Sequence, residues 1–166
     1  PKVRLSEVCR IVNGGTPKSK VEAYWGGDIQ WLTPKDMGQL NGHLVSRTER
    51  QISQLGLQES AAKLIEAHSI LLSCRAPIGH LAINQVPMAF NQGCKGLVPN
   101  AAIEVAYLYY FLFAAKPMLN ALGTGTTFKE ISAKTLAQVE LRLPPIAEQR
   151  RIVAKLDGAF AQLHTA

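Results

Sequence analysis

Apolar positions in the first hundred residues fall in short runs, each closed by glycine, proline, asparagine or aspartate. Such runs, rich in β-branched or aromatic residues, predict strands at Gln30–Leu32, His43–Val45, Ser69–Ser73, His80–Ile83 and Gly96–Val98. Ser53 is placed to cap a short helix through Leu64, which Gly56 weakens. The texture changes after Asn100. Val105, Leu108, Phe111, Leu112 and Ala115 recur at helical spacing, so Ile103–Leu122 reads as a helix, apolar nearly all round and hence buried. Pro117 kinks or splits it and Gly123 stops it. Ser132 caps a shorter helix carrying Leu136, and a strand follows at Val139–Leu143. Beyond Pro144-Pro145 another helix starts at Ile146. Its stripe of Ile152, Leu156, Ala159 and Leu163, widened by Val153 and Phe160, is heptad-like, with Glu148, Arg150, Arg151 and Lys155 on the other face. The di-proline divides residues 1–145 from 146–166, and the last helix reads as the first turns of something longer.

Composition narrows the class. With 166 residues, 47% of them hydrophobic and 18% charged, the chain can bury a core and is not disordered. The longest apolar stretch, Val105–Ala115, is too short to cross a bilayer, and Lys2 and Arg4 do not lead into a secretory signal. Cys9, Cys74 and Cys94 are odd in number and form no CxxC, which fits free thiols in a reducing cytoplasm better than disulfides or zinc. The formal net charge of +6 is unevenly spread. Lys2, Arg4, Arg10, Lys18 and Lys20 face only Glu7 within residues 1–20, and Glu104 is the one acid between Ala67 and Lys129. That asymmetry suits an anionic partner, nucleic acid being the commonest, and on charge alone a generically basic surface accounts for it equally well.

Four segments carry candidate binding chemistry. Asn13-Gly14-Gly15-Thr16-Pro17-Lys18-Ser19-Lys20 is a tight basic turn suited to a phosphate oxygen, or an ordinary surface turn. Tyr24–Asp36 holds Trp25 and Trp31 around a glycine turn, with Lys35 near its end, and such tryptophans serve core packing more often than base stacking. Ser73–Gly79 with Arg75, and Asn91-Gln92-Gly93-Cys94-Lys95, offer side chains that read guanine and adenine, although Asn91 and Gln92 serve equally well as turn caps. Gly123–Lys129 is a Gly/Thr-rich loop able to approach a phosphate backbone, or a helix connector. No GxSxG, HExxH, P-loop or amino-methyltransferase motif occurs, and His43, His68, His80 and His164 lack metal-ligand spacing. No catalytic residue, cofactor or metal is therefore expected.

Taken in order, these segments resemble the target-recognition domain of type I restriction-modification specificity subunits (the HsdS family). The matching residues are Gly15-Thr16-Pro17, Tyr24-Trp25-Gly26, Ile29-x-Trp31, Asp36, Ile52-Ser53, Gly56-Leu57, Ser60-Ala61 and Ile70-Leu71-Leu72. Arg75, Gly79, Ala82-Ile83, Asn91-Gln92, Gly123-Thr124 and Ile131-Ser132 follow. The most specific piece is Leu143-Pro144-Pro145-x-x-Glu148-Gln149-x-x-Ile152-Val153. The resemblance implies a mixed α/β fold: a twisted, partly barrel-like sheet with helices on one side, plus a C-terminal helix. It further implies a non-catalytic module that sets one half-site in double-stranded DNA for methylation and restriction subunits. On size, the chain looks like half a subunit or a truncated one. The candidate DNA-facing residues are Lys18, Lys20, Lys35, Arg75, Asn91, Gln92, Lys95, Thr126 and Lys129. Ile152, Leu156, Phe160 and Leu163 are expected to form an assembly seam, joining a second recognition domain, another copy or the methylation subunit. A fragment of a DNA methyltransferase, a small nuclease, and a module binding an acidic protein are the rival readings.

Overall fold

The computed structural model describes residues 1–165. Its centre is a five-stranded sheet built from β2 (Cys9–Asn13), β9 (Cys94–Pro99), β6 (Ile70–Ser73), β7 (Leu81–Asn84) and β4 (Leu44–Val45), in that spatial order. All neighbours run antiparallel except β4 and β7. Alternate side chains of a strand point to opposite faces. In β6, Ile70 and Leu72 therefore enter one core and Leu71 the other, and Ala82 parts from Leu81 and Ile83 in the same way. Every residue of β6 and β7 is buried, because both faces of the sheet are covered.

One face carries the helices: α1 (Leu5–Val8), α4 (Val105–Ala114), α5 (Lys116–Leu122) and α6 (Ala133–Ala137). The other is closed by Leu32, Met37, Ile65, Met88 and Phe90. Leu32 and Phe90 belong to a second sheet, in which β3 (Trp25–Leu32) lies between β5 (Arg50–Ile52) and β8 (Ala89–Phe90). A two-stranded ribbon, β1 (Lys2–Arg4) with β10 (Glu140–Arg142), ties the two ends of the body together. The mixed α/β class with helices on one side is as expected. Among the described residues the strands divide into three sheets and do not close into a barrel.

Other expectations need correction. The helix over 103–122 is split in two as expected, at Ala115, with Pro117 in the first turn of α5, where its missing N–H costs nothing, but its burial differs. It is not buried all round: Leu108, Leu112 and Leu119 enter the core, while Phe113, Met118 and Leu122 are exposed. The Ser53-capped helix α3 (Gln54–Gln58) ends well before Leu64. The C-terminal helix α7 (Ile146–Thr165) begins directly after the di-proline.

The start of α7 is fixed by one buried side chain. Gln149 Oε1 accepts from the Glu104 N–H at 2.9 Å, and its Nε2 donates to the carbonyls of Ala102 at 3.0 Å and Pro144 at 2.8 Å. Arg150 pairs with Glu104 at 2.8 Å. Further along, Phe160 stacks on Tyr110 with centroids 5.6 Å apart and meets Phe113 edge-on, while the Tyr110 hydroxyl donates to Asp157. Burial, reinforced by that bond to a carboxylate, pushes the Tyr110 phenol up to about 12.

Candidate nucleic-acid interface

The Asn13–Lys20 turn is held from beneath by the two tryptophans. The indole N–H of Trp31 donates to the Gly15 carbonyl at 3.0 Å, and that of Trp25 to the Lys18 carbonyl at 3.1 Å. The rings meet edge-on at 5.1 Å, and the Arg50 guanidinium lies 3.7 Å from the centroid of Trp25. Trp31 is buried, so this pair latches the turn and Trp31 is no platform for bases. Lys18 and Lys20 stand exposed on the turn, with no ion pair among the described residues.

Two further turns lie beside it. Gly15 N–H donates to the Phe90 carbonyl at 3.0 Å, and the Thr16 hydroxyl donates to Gln92 Oε1. Asn91 Oδ1 accepts from Gly93 N–H at 2.9 Å, which uses the side chain as a turn cap but leaves Nδ2 without a partner among the described residues. The Asn91–Gly93 turn is joined to the Arg75 turn by Cys74 N–H donating to the Gly93 carbonyl at 2.8 Å. A Cβ on Gly93 would come 3.2 Å from Asn91 Oδ1 and 3.8 Å from Arg75 Cδ, so the two candidate base readers flank this glycine. Ser73 organises the Arg75 turn, its hydroxyl donating to the Pro77 carbonyl at 2.7 Å and accepting from His80 N–H at 2.8 Å. Arg75 Nε pairs with Glu130 at 3.4 Å, but both side chains are only about half covered, at 46% and 40% exposed. It is a surface pair, worth roughly 0–1 kcal/mol, and not a buried one.

Glu130 brings in the fourth segment. Thr124 and Glu130 exchange two backbone hydrogen bonds of 2.9 Å, and Ile131 N–H donates to the Cys74 carbonyl at 3.0 Å. The loop between them is thus a closed finger rooted on the Arg75 turn. Gly125 has φ +125°, and a Cβ there would fall 2.2 Å from the Phe128 carbonyl oxygen, so the finger's curvature requires glycine. Thr126 and Lys129 lie exposed on it.

Seven of the nine candidate residues, Lys18, Lys20, Arg75, Asn91, Gln92, Thr126 and Lys129, therefore lie on a chain of mutually bonded turns. Two differ. Lys35 lies not in a turn but in α2 (Pro34–Gly38), whose Thr33–Asp36 capping box sets its first turn and whose Pro34 adjoins Gly93, and it pairs with Glu49 at 3.2 Å. Lys95 lies in no turn; it is in β9, between Asn13 and Leu72 of its neighbours, and only 5% exposed. The turn ends at Cys94, so Lys95 does not belong to the exposed set. Reading the sequence missed Glu130, Thr16 as the partner of Gln92, and Phe128. A lone large apolar residue in a Gly/Thr loop beside a lysine was the available signal for Phe128.

In α7, Ile152, Val153, Leu156 and Phe160 are half-buried, and Phe160 lies against its own body, while Leu163 is 71% exposed. Burial pushes all three thiols up, Cys9 and Cys74 to about 12, which leaves them poor nucleophiles. Among the described residues no group of three or more His, Cys, Asp or Glu side chains could hold a metal, and no helix is long and apolar enough to cross a membrane.

The fold is a non-repetitive α/β scaffold whose short polar turns gather at one end of the five-stranded sheet. The family model for the type I restriction modification DNA specificity domain matches residues 1–166, and the chain belongs to that family. It is 37% identical over 156 residues to the specificity subunit of the type I restriction enzyme MjaIX of Methanocaldococcus jannaschii, covering 92% of this chain and 36% of that protein. It is 35% identical over 160 residues to the EcoR124I/EcoR124II specificity subunit of Escherichia coli, covering 92% and 39%. Among solved structures, the HsdS subunit from Thermoanaerobacter tengcongensis superposes with a TM-score of 0.79 at 29% identity, over 99% of this chain and 38% of that one. A chain from a study of complex assembly and conformational transition in a type I R-M system gives 0.81 at 30%, over 99% and 39%. The chain thus spans about two fifths of the length of these relatives. Relatives named as specificity subunits do not favour the methyltransferase-fragment or nuclease readings.

Proposed function

We propose that this domain reads one half of a split duplex DNA target for a type I restriction-modification complex, in which separate subunits supply methylation and restriction in the cytoplasm. The observation that carries the reading is the run of bonded turns. Lys18, Lys20 and Lys129, none of them ion-paired among the described residues, lie on the same run of turns as Arg75, Asn91 and Gln92. The lysines suit phosphates, which fix register, and the flanked amide and guanidinium groups suit base edges, which carry sequence. Selection from random duplexes is expected to return a short preferred sequence. Affinity for it falls with salt at a log–log slope of about −0.9 per phosphate contact. Replacing Lys18 or Lys20 with alanine flattens that slope by about one and weakens all sequences alike. No binding at low salt, or binding indifferent to salt, overturns the reading.

The distal end of α7 is proposed as an assembly surface for a second recognition domain, another copy or the methylation subunit. Leu163 is 71% exposed at the end of the stripe, beyond the contacts that Phe160 makes with α4. Leu163→Asp is expected to leave the melting temperature within about 1 °C, as for a surface change, while weakening self-association or capture of the methylation subunit. Unchanged assembly in both measurements would remove this role.

A further inference from the structure

Phe128 has no part in the reading so far, and its setting is unusual. It is 75% exposed, whereas the other exposed large apolar side chains of residues 1–145 lie between 37% and 49%. It sits on the closed finger between Thr124 and Glu130, whose curvature depends on Gly125 and whose root is bonded to the Arg75 turn. Its neighbours on the finger, Thr124, Gly125, Thr126, Thr127 and Lys129, are all exposed and none is a large apolar residue.

We infer that Phe128 is a wedge for duplex DNA, its ring pressing on a base at an opened step next to the pair that Arg75 reads. The inference rests on the DNA-binding reading and adds a contact to it. Charge complementarity argues for this occupant. The ring is carried between threonines and Lys129, which has no ion pair among the described residues, and the adjacent acid, Glu130, is already held by Arg75. A protein-binding hot spot takes another form, an apolar anchor within a packed, desolvated patch, and this finger supplies no second apolar side chain. A lone aromatic on a cationic stem matches the side chains that stack on bases or wedge between them.

The test uses the duplex returned by selection, with 2-aminopurine substituted at each position in turn. Parent protein is expected to raise the emission at one step as the base there leaves its stack. Phe128→Ala should abolish that signal and weaken binding roughly 5- to 150-fold. Phe128→Trp should retain both. Because the side chain is exposed, the melting temperature of each variant should match the parent, which separates loss of contact from loss of fold. If Phe128→Ala binds as tightly, with the emission profile unchanged, the wedge is wrong even though the Lys18 and Lys20 effects persist. If it binds DNA normally but no longer captures the methylation subunit, the ring belongs to a protein interface and the inference is overturned. If the parent fails to bind any duplex at low salt, the DNA reading falls and this inference with it.

Discussion

Gln149→Ala is expected to lower stability by about 3 kcal/mol, which for a chain of this size is a drop of roughly 6–12 °C in melting temperature. Three hydrogen bonds of 2.8–3.0 Å end on this buried side chain. Each contributes on the order of 1 kcal/mol net, and the substitution strips an N–H and two carbonyls of their side-chain partner. Gln149→Glu should be at least as damaging, since a carboxylate cannot donate to Ala102 and Pro144 and would face their carbonyl oxygens. Urea and thermal melts of both variants measure the effect. A shift below about 2 °C would mean that α7 is held chiefly by its aromatic contacts with α4.

The other large effect falls at Arg75. Glu130 engages the guanidinium through Nε, and the two terminal nitrogens have no partner among the described residues. That side-on hold suits an arginine that presents its terminal N–H groups to guanine O6 and N7. Arg75→Ala is expected to relax preference at one base pair by about 1–3 kcal/mol, seen as a flattened column in the selected sequences. Arg75→Lys keeps the charge but loses the planar fork, and should relax the same position. Glu130→Gln keeps the arginine but frees it, and should broaden preference there with a smaller loss of affinity. A uniform weakening across all sequences would instead make Arg75 a phosphate contact.

Long periodic segments and capped starts were legible in the sequence: α7 after the di-proline, α6 behind Ser132, and β6 and β7 as unbroken apolar runs. What escaped was set by long-range pairing. Lys2–Arg4 is too short and polar to read as a strand, and becomes one because Lys2, Val3 and Arg4 find Arg142, Leu141 and Glu140. Arg50–Ile52 is a strand because β3 bulges to meet it, with Ile52 opposite both Trp25 and Ile29. Lys95 reads as the end of a polar turn, yet pairing with Leu72 carries it into the sheet. The order of the candidate turns was visible one motif at a time. Their convergence was not, because Thr16 to Gln92 and Arg75 to Glu130 span 76 and 55 residues.

The turns hold one another chiefly by main chain: Gly15 to Phe90, Cys74 to Gly93 and Ile131 to Cys74 are all amide-to-carbonyl bonds. None of them depends on which side chain stands at 75, 92 or 128. Mutation at those positions can therefore drift without dismantling the scaffold that displays them. On the proposed reading, a change at one of these positions would exchange one preferred sequence for another in a single step while the sheet beneath stays as it is.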